Sequence, residues 1–323
     1  MKTAIIGAGG VGGYFGGKIA NAGFDVTFLA RGEHFKAIQS NGLKVKSVSG
    51  DFSVCPVRAT DKVEEIGFAD LIILGVKAWQ VRAIAKELKA IVKKNTMVLP
   101  LQNGVLAADE LAEELGREHV IGGLCRILSK IEAPGVIHHS GVDPMIVFGE
   151  LDNQKTDRVA EIRNLFDRSG IHSKIAEDIQ SEIWRKFITI CVSGLLAVTR
   201  STYGVVRELK ETRGMIHDLL SEIHLISRKA GIHLEPNIVN QTMSDIDSYP
   251  YDSTASLTRD VWDGKPSEIE YQNGTVVRLA EKYGIDVPVN RFIYHCILPM
   301  ELKARNRSSE FSMPFVSAPR ISR

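Results

Sequence analysis

Cysteine is scarce. The chain holds four thiols in 323 residues, Cys55, Cys125, Cys191 and Cys296, far apart and with no CxxC pair or Cys/His metal spacing. That scatter excludes a disulfide framework and a zinc module, and it predicts the reduced thiols of a cytoplasmic protein. An excess of one charge is lacking too. Forty Lys+Arg stand against 39 Asp+Glu, a formal net charge of +1, so nothing in the balance points to nucleic acid or an anionic membrane. Long apolar runs are missing as well: the longest, residues 187–198, is too short to span a bilayer. No cationic, apolar leader precedes the first strand-like run, which begins at Thr3. What is present is an ordinary globular mixture, 44% hydrophobic and 24% charged, on a chain long enough for two domains.

Short apolar runs at 3–6, 26–30, 71–76 and 96–101 alternate with helical periodicity at 10–22 and 78–92. This is the signature of βαβ units and a parallel sheet. Further strands are predicted at 120–122, 135–139 and 145–149, with Gly141 and Pro144 as turn signals. From about Ile179 strand signals fade and helices are expected at 179–199, 204–230, 253–262 and 267–283. The expected organisation is α/β: an N-terminal, doubly wound Rossmann-type sheet over 1–178, then an all-helical C-terminal domain over 179–307. Residues 308–323, rich in Ser, Pro and Arg, are expected to be a frayed tail, too sparse in charge at Arg320 and Arg323 to serve as a nucleic-acid arm.

The most specific local feature is Gly7-Ala8-Gly9-Gly10-Val11-Gly12, a GxGxxG turn with a strand before it and a helix after it. Gly7 permits the tight turn, Gly9 lets the backbone approach a pyrophosphate, and Gly12 lets the helix pack on the strand. The N–H groups and dipole at the helix start then suit a diphosphate. At the end of the second strand, where an NAD enzyme usually has Asp or Glu, stands Arg31, which favours NADP by charge-assisted bonds to a 2′-phosphate. Ligands of such sheets bind beyond the carboxyl ends of the strands, where Lys77-Ala78-Trp79-Gln80 and Gln102-Asn103-Gly104 lie. A surface Lys at a helix start and a common Asn-Gly turn explain these equally well. In the helix that follows, Arg185 shares a solvent stripe with Glu182 and Thr189. Lys186 instead shares a face with Ile183, Ile190, Ser193 and Ala197. An ammonium on an apolar face needs a partner, a wet cleft or a lowered pKa, unless it snorkels to an edge. Glu268 sits in the first turn of a predicted helix, a position the helix dipole alone would explain. Ser256 and Asp260 lie one turn apart in the segment before it. His138 and His139 are adjacent on a strand and so point to opposite faces, as surface histidines and not as a metal pair. No metal site is expected. Trp79 and Trp184 are expected to pack and not to stack on a ligand.

Taken together and in order, Gly7–Gly12, Arg31, Val76-Lys77-Ala78-Trp79-Gln80, Leu101-Gln102-Asn103-Gly104-Val105, Trp184-Arg185-Lys186 and Ser267-Glu268-Ile269-Glu270-Tyr271-Gln272-Asn273-Gly274 resemble the ketopantoate reductases (2-dehydropantoate 2-reductases) over nearly the whole chain to about Pro299. The resemblance implies a Rossmann domain and a helical domain, with NADPH and a small 2-oxo acid in the cleft between. It implies Lys186 as the catalytic lysine, Asn103 near the nicotinamide and carbonyl, and Glu268 as the substrate-binding carboxylate. Lys77 and Gln80 become cofactor-cleft positions and Ser256 a substrate contact. The implied reaction is NADPH-dependent reduction of ketopantoate to pantoate, for pantothenate and coenzyme A supply. A homodimer is compatible with it; nucleic acid and membrane partners are not expected.

The chain departs from the family pattern at Ile190 and Gly194, one and two turns after Lys186, where the family has Asn. Ser253 also replaces an expected Asn. Two alternatives follow. One is a sister NADPH-dependent reductase of another, less polar 2-oxo acid or ketone. The other is a non-catalytic NADPH-binding regulator.

Overall fold

The computed structural model describes residues 1–307; the expected tail from Ser308 lies outside the described residues. The described residues form two compact units, Met1–Ile188 with Ser227–Pro236, and Thr189–Ile226 with the described chain from Asn237 on. In the first, the order is β1 (Thr3–Ile6), α1 (Gly10–Asn21), β2 (Val26–Leu29), α2 (Gly32–Asn41), β3 (Leu43–Ser47), β4 (Phe52–Val54), β5 (Arg58–Thr60), β6 (Leu71–Leu74), α3 (Val81–Leu88), β7 (Met97–Pro100) and α4 (Ala107–Leu115). There follow β8 (Ile121–Arg126), β9 (Ser129–Ala133), β10 (Val136–His139), β11 (Met145–Glu150), α5 (Asp157–Arg168), β12 (His172–Ile175) and α6 (Ile179–Ile190). The remaining helices are α7 (Val192–Thr199), α8 (Tyr203–Glu208), α9 (Lys210–Lys229), α10 (Ile238–Ser248), α11 (Ser256–Trp262), α12 (Asn273–Tyr283) and α13 (Pro288–Arg307).

Five strands form a wholly parallel sheet in the order β5-β2-β1-β6-β7. Its central strands are buried on both faces, which is why they read as continuous apolar runs instead of alternating ones. All five carboxyl ends share one edge, and the glycine-rich turn, Lys77 and Asn103 follow β1, β6 and β7 there. The runs at 120–122, 135–139 and 145–149 are strands, but apart from one parallel bridge from Val120 to Val98 of β7 they do not extend that sheet. They belong to two smaller ones, β4-β3-β10-β9 and β12-β11-β8.

Helix α1 is packed on both sides, and its glycines make that geometry accessible. A Cβ on Gly16 would come within 2.5 Å of Ile5 and 2.7 Å of the Phe28 ring, in the parallel sheet. On another side, a Cβ on Gly13 would meet Ile137 of β10 at 2.7 Å, and one on Gly17 would meet Phe52 of β4 at 3.1 Å.

The second unit holds no strand among the described residues, in keeping with its helical periodicity. No helix among those residues is long and apolar enough to cross a membrane. Several expected helices are interrupted. The one predicted over 179–199 is two, α6 and α7, parted at Cys191, where the β-branched residues Ile188, Thr189, Ile190 and Val192 lower helix propensity. That over 204–230 breaks at Leu209 into α8 and α9. That over 253–262 begins only at Ser256, because Ser253 turns back, its hydroxyl and N–H both donating to the Pro250 carbonyl. The surface reading of the histidines fails for His139, which is fully buried. The Ser47 hydroxyl lies 2.8 Å from its Nδ1 and the Val142 carbonyl 3.0 Å from its Nε2, so both ring nitrogens are satisfied inside.

Candidate active site

The glycine-rich turn is fixed by strand pairing and opened by missing side chains. The N–H groups of Gly7 and Ala8 both donate to the Leu29 carbonyl at 3.1 Å, tying the turn to the end of β2. Gly7 has a φ of +94°, and a Cβ there would meet the Val76 side chain and main chain at 2.8 and 2.9 Å. A Cβ on Gly12 would lie 2.1 Å from the Gly7 carbonyl oxygen. Gly9, the N-cap of α1, has an extended backbone, no side-chain cap, and nothing within 4 Å of where a Cβ would stand. The start of α1 is thus bare main chain with its dipole facing outward, and these residues fit a dinucleotide diphosphate. Arg31 is the exposed N-cap residue of α2. Glu33, close enough in sequence to neutralise it, is instead bonded to Lys36 at 2.8 Å.

At the end of β6, the Gly75 N–H donates to the Ile6 carbonyl at 2.8 Å and carries the chain past the turn. Exposed Lys77 caps a short 3-10 turn over Ala78–Gln80, and its N–H donates to Gln80 Oε1 at 3.0 Å. The Lys77 ammonium stands 5.7 Å from the centre of the half-buried Trp79 ring. Gln102, which the sequence places at the strand end without a role of its own, is buried beyond β7. Its Nε2 donates to the carbonyls of Leu74 (3.0 Å) and Val76 (3.1 Å), which locks the β6 exit against the segment that presents the half-buried Asn103. A buried amide between two strand ends was the available signal.

Lys186 is half-buried on α6, and its ammonium donates to the Cys125 carbonyl of β8 at 2.7 Å. The partner an ammonium on an apolar face requires therefore includes main chain, which orients the charged group. The neighbouring Arg185 is not on a solvent stripe. It is half-buried and ion-paired to Glu182 at 3.0 Å and Glu235 at 2.5 Å, because the segment 227–236 packs back onto α6, also placing the His233 carbonyl 2.8 Å from the Ser181 hydroxyl. Trp184 is buried edge-on to Phe187 at 5.4 Å, a packing role.

In the second unit Glu268 is 5% exposed and is not in the first turn of an α-helix. It precedes a 3-10 turn, Ile269–Tyr271, and α12 starts only at Asn273. The cause is a buried clamp that sequence reasoning missed. Ser267 donates from its N–H (2.9 Å) and hydroxyl (2.7 Å) to Glu301 Oε2, while Arg305 donates to the Ser267 carbonyl at 3.2 Å. Glu301 and Arg305, one turn apart on α13, pair at 2.7 Å. Burial pushes the Glu301 carboxyl above its ordinary value, against the pull of Ser267 and Arg305. Ser256 opens α11 and is exposed. Ile190 is half-buried, and Gly194 faces the Asn273 amide: a Cβ on Gly194 would meet Asn273 Oδ1 at 2.6 Å. Asn273 is fully buried and donates to the Cys191 carbonyl (3.2 Å) and to Asn290 (2.9 Å).

A parallel sheet with a bare, glycine-built helix start at its carboxyl edge defines a dinucleotide-binding protein of the Rossmann type, and the comparisons with known proteins narrow that class. Residues 3–153 match the family described as Ketopantoate reductase PanE/ApbA, and residues 178–301 match Ketopantoate reductase PanE/ApbA C terminal. A 2-dehydropantoate 2-reductase of Nostoc is 31% identical over 97% of this chain and 98% of its own length. YkpB, an uncharacterized oxidoreductase of Bacillus subtilis, is 29% identical over 91% of this chain and 97% of its own. A crystal structure of a PanE/ApbA family ketopantoate reductase from Ralstonia eutropha superposes with a TM-score of 0.87 at 30% identity, covering 94% of this chain and 100% of that one. The chain belongs to the ketopantoate reductase family, whose members are oxidoreductases acting on a CH–OH group.

Proposed function

We propose that this protein reduces 2-dehydropantoate to pantoate with NADPH, in pantothenate and coenzyme A synthesis. The observation that carries the chemistry is Lys186: a half-buried ammonium held on a main-chain carbonyl, in a chain of this family. The bound cofactor supplies the hydride. The turn Gly7, Ala8, Gly9, Gly10, Val11 and Gly12 binds its diphosphate through main-chain N–H groups, Arg31 binds the 2′-phosphate, and Lys77 and Gln80 border the cofactor. Asn103 donates a hydrogen bond to the substrate carbonyl oxygen as charge develops there. Lys186 delivers the proton to that oxygen. Glu268 accepts a hydrogen bond from a substrate hydroxyl, and Ser256 contacts the substrate.

Initial rates with ketopantoate against a panel of 2-oxo acids test the substrate, and ketopantoate is expected to have the highest kcat/KM. Replacing a positioned general acid typically costs about 10²–10⁴-fold, so Lys186→Ala is expected to lose at least about a hundredfold in kcat while binding NADPH normally. Retention of most turnover would remove Lys186 from the mechanism.

Ile190 and Gly194 favour a second reading, a sister reductase of a less polar 2-oxo acid or ketone, because both positions lack an amide that would bind substrate. A preference for an apolar 2-oxo acid in the same panel selects it. Tight NADPH binding with no turnover on any member selects a non-catalytic regulator.

A further inference from the structure

His34 lies on the first turn of α2, three residues beyond Arg31, and its ring joins three segments distant in sequence. Nδ1 is 3.0 Å from the Gly135 N–H, in the turn between β9 and β10, and that N–H can only donate. Nδ1 is therefore the acceptor, the proton sits on Nε2, and Nε2 donates to the Ala8 carbonyl at 2.8 Å. The geometry thus selects one neutral tautomer, and partial burial favours the neutral ring by lowering its pKa, against the pull of the Ala8 carbonyl. The neighbourhood is tight. A Cβ on Gly10 would lie 2.5 Å from the Ser129 carbonyl at the start of β9, and one on Gly135 would lie 3.2 Å from Ala37 of α2. The β9–β10 hairpin therefore backs both the glycine-rich turn and α2.

We propose that His34 is a positioning residue for cofactor selectivity. By bridging the Ala8 carbonyl to Gly135, it holds the helix start that carries Arg31 in fixed register with the diphosphate-binding turn. A dinucleotide with a 2′-phosphate must satisfy both elements at once, whereas one without it uses the turn alone. This rests on the reading of Arg31 as the 2′-phosphate ligand, proposed above.

The test measures Kd for NADPH and for NADH by fluorescence titration of the full chain and its His34→Ala, His34→Asn and Arg31→Ala variants, with Tm recorded for each. His34→Asn keeps an acceptor near the Gly135 N–H but does not reach Ala8, so it removes the bridge even if His34→Ala fails to fold. His34→Gln, able to donate to Ala8, is the rescue. Losing one such hydrogen bond corresponds to about a two- to tenfold change, so His34→Asn is expected to weaken NADPH by about that factor, to change NADH less, and to be partly restored by His34→Gln. A purely structural role would lower Tm and leave the NADPH-to-NADH ratio unchanged. That result in His34→Asn, with Arg31→Ala lowering the preference for NADPH over NADH, overturns the inference and leaves the Arg31 reading standing. A wild-type protein with no preference for NADPH overturns both.

Discussion

Around Gly9 the first unit presents main chain: a helix start with no side-chain cap and no Cβ in the way. Around Glu268 the second unit presents a side chain set by other side chains, with Ser267 gripped by the buried Glu301 and Arg305. The contrast suits the function proposed above. A diphosphate is the same in every dinucleotide and can be met by backbone N–H groups common to all residues. The substrate contacts proposed in the second unit are side-chain functional groups, which mutation can replace. Cofactor recognition should then fail by steric intrusion into the turn, and the helical unit by loss of a partner in the clamp.

The largest break in this comparison is expected at Glu301. Removing one partner of a buried pair costs about 3–5 kcal/mol, so Glu301→Ala should fall by about that much in chemical denaturation, with NADPH affinity preserved in whatever fraction folds. The apolar double variant Glu301→Met with Arg305→Leu should lose clearly less, since no buried charge is stranded. Equal losses would show that the clamp acts by packing alone. Gly12→Ala comes next. Its methyl would stand 2.1 Å from a main-chain oxygen that cannot turn away. Overpacking of this kind costs about 1–3 kcal/mol, and because the turn itself must move, NADPH titration should weaken about tenfold or more. The smallest effect is expected for Gly194→Ala, about 1 kcal/mol, the low end of that range. Its obstacles, the Asn273 amide at 2.6 Å and Ile293 at 2.7 Å, are side-chain atoms that can shift. A Gly194→Ala loss as large as that of Gly12→Ala, measured by the same denaturation, would erase the distinction between backbone and side-chain constraint.

The same distinction decides what was legible beforehand. The parallel sheet and the glycine-rich turn show in sequence because each rests on a local need: continuous burial of β1, β6 and β7, or room for a close backbone approach at Gly7 and Gly12. Lys186 stood out because an ammonium on an apolar face is a local anomaly. Its partner at Cys125 lies 61 residues away and left no local trace. The Glu301–Ser267 contact spans 34 residues and the His34–Gly135 contact 101, so neither could be read from spacing. Glu268 was misplaced for that reason: its residue type suits a helix start, and only the distant clamp turns it into the lead of a 3-10 turn. Arg185 and His139 were assigned to the surface on the same ground, and partners distant in sequence, Glu235 and Ser47, reversed it. Cys191 parts α6 from α7 although apolar periodicity runs through it, since period alone carries no penalty for consecutive β-branched residues.

Helix α1 has five glycines in twelve residues. Each costs about 1 kcal/mol of helix propensity relative to alanine, and a segment this short is marginal alone even with good helix formers. It cannot act as a seed for folding. Its helical form depends on β1 and β2 on one side and β4 and β10 on another packing against its bare faces, so the glycine-rich turn at its start is only as firm as that packing.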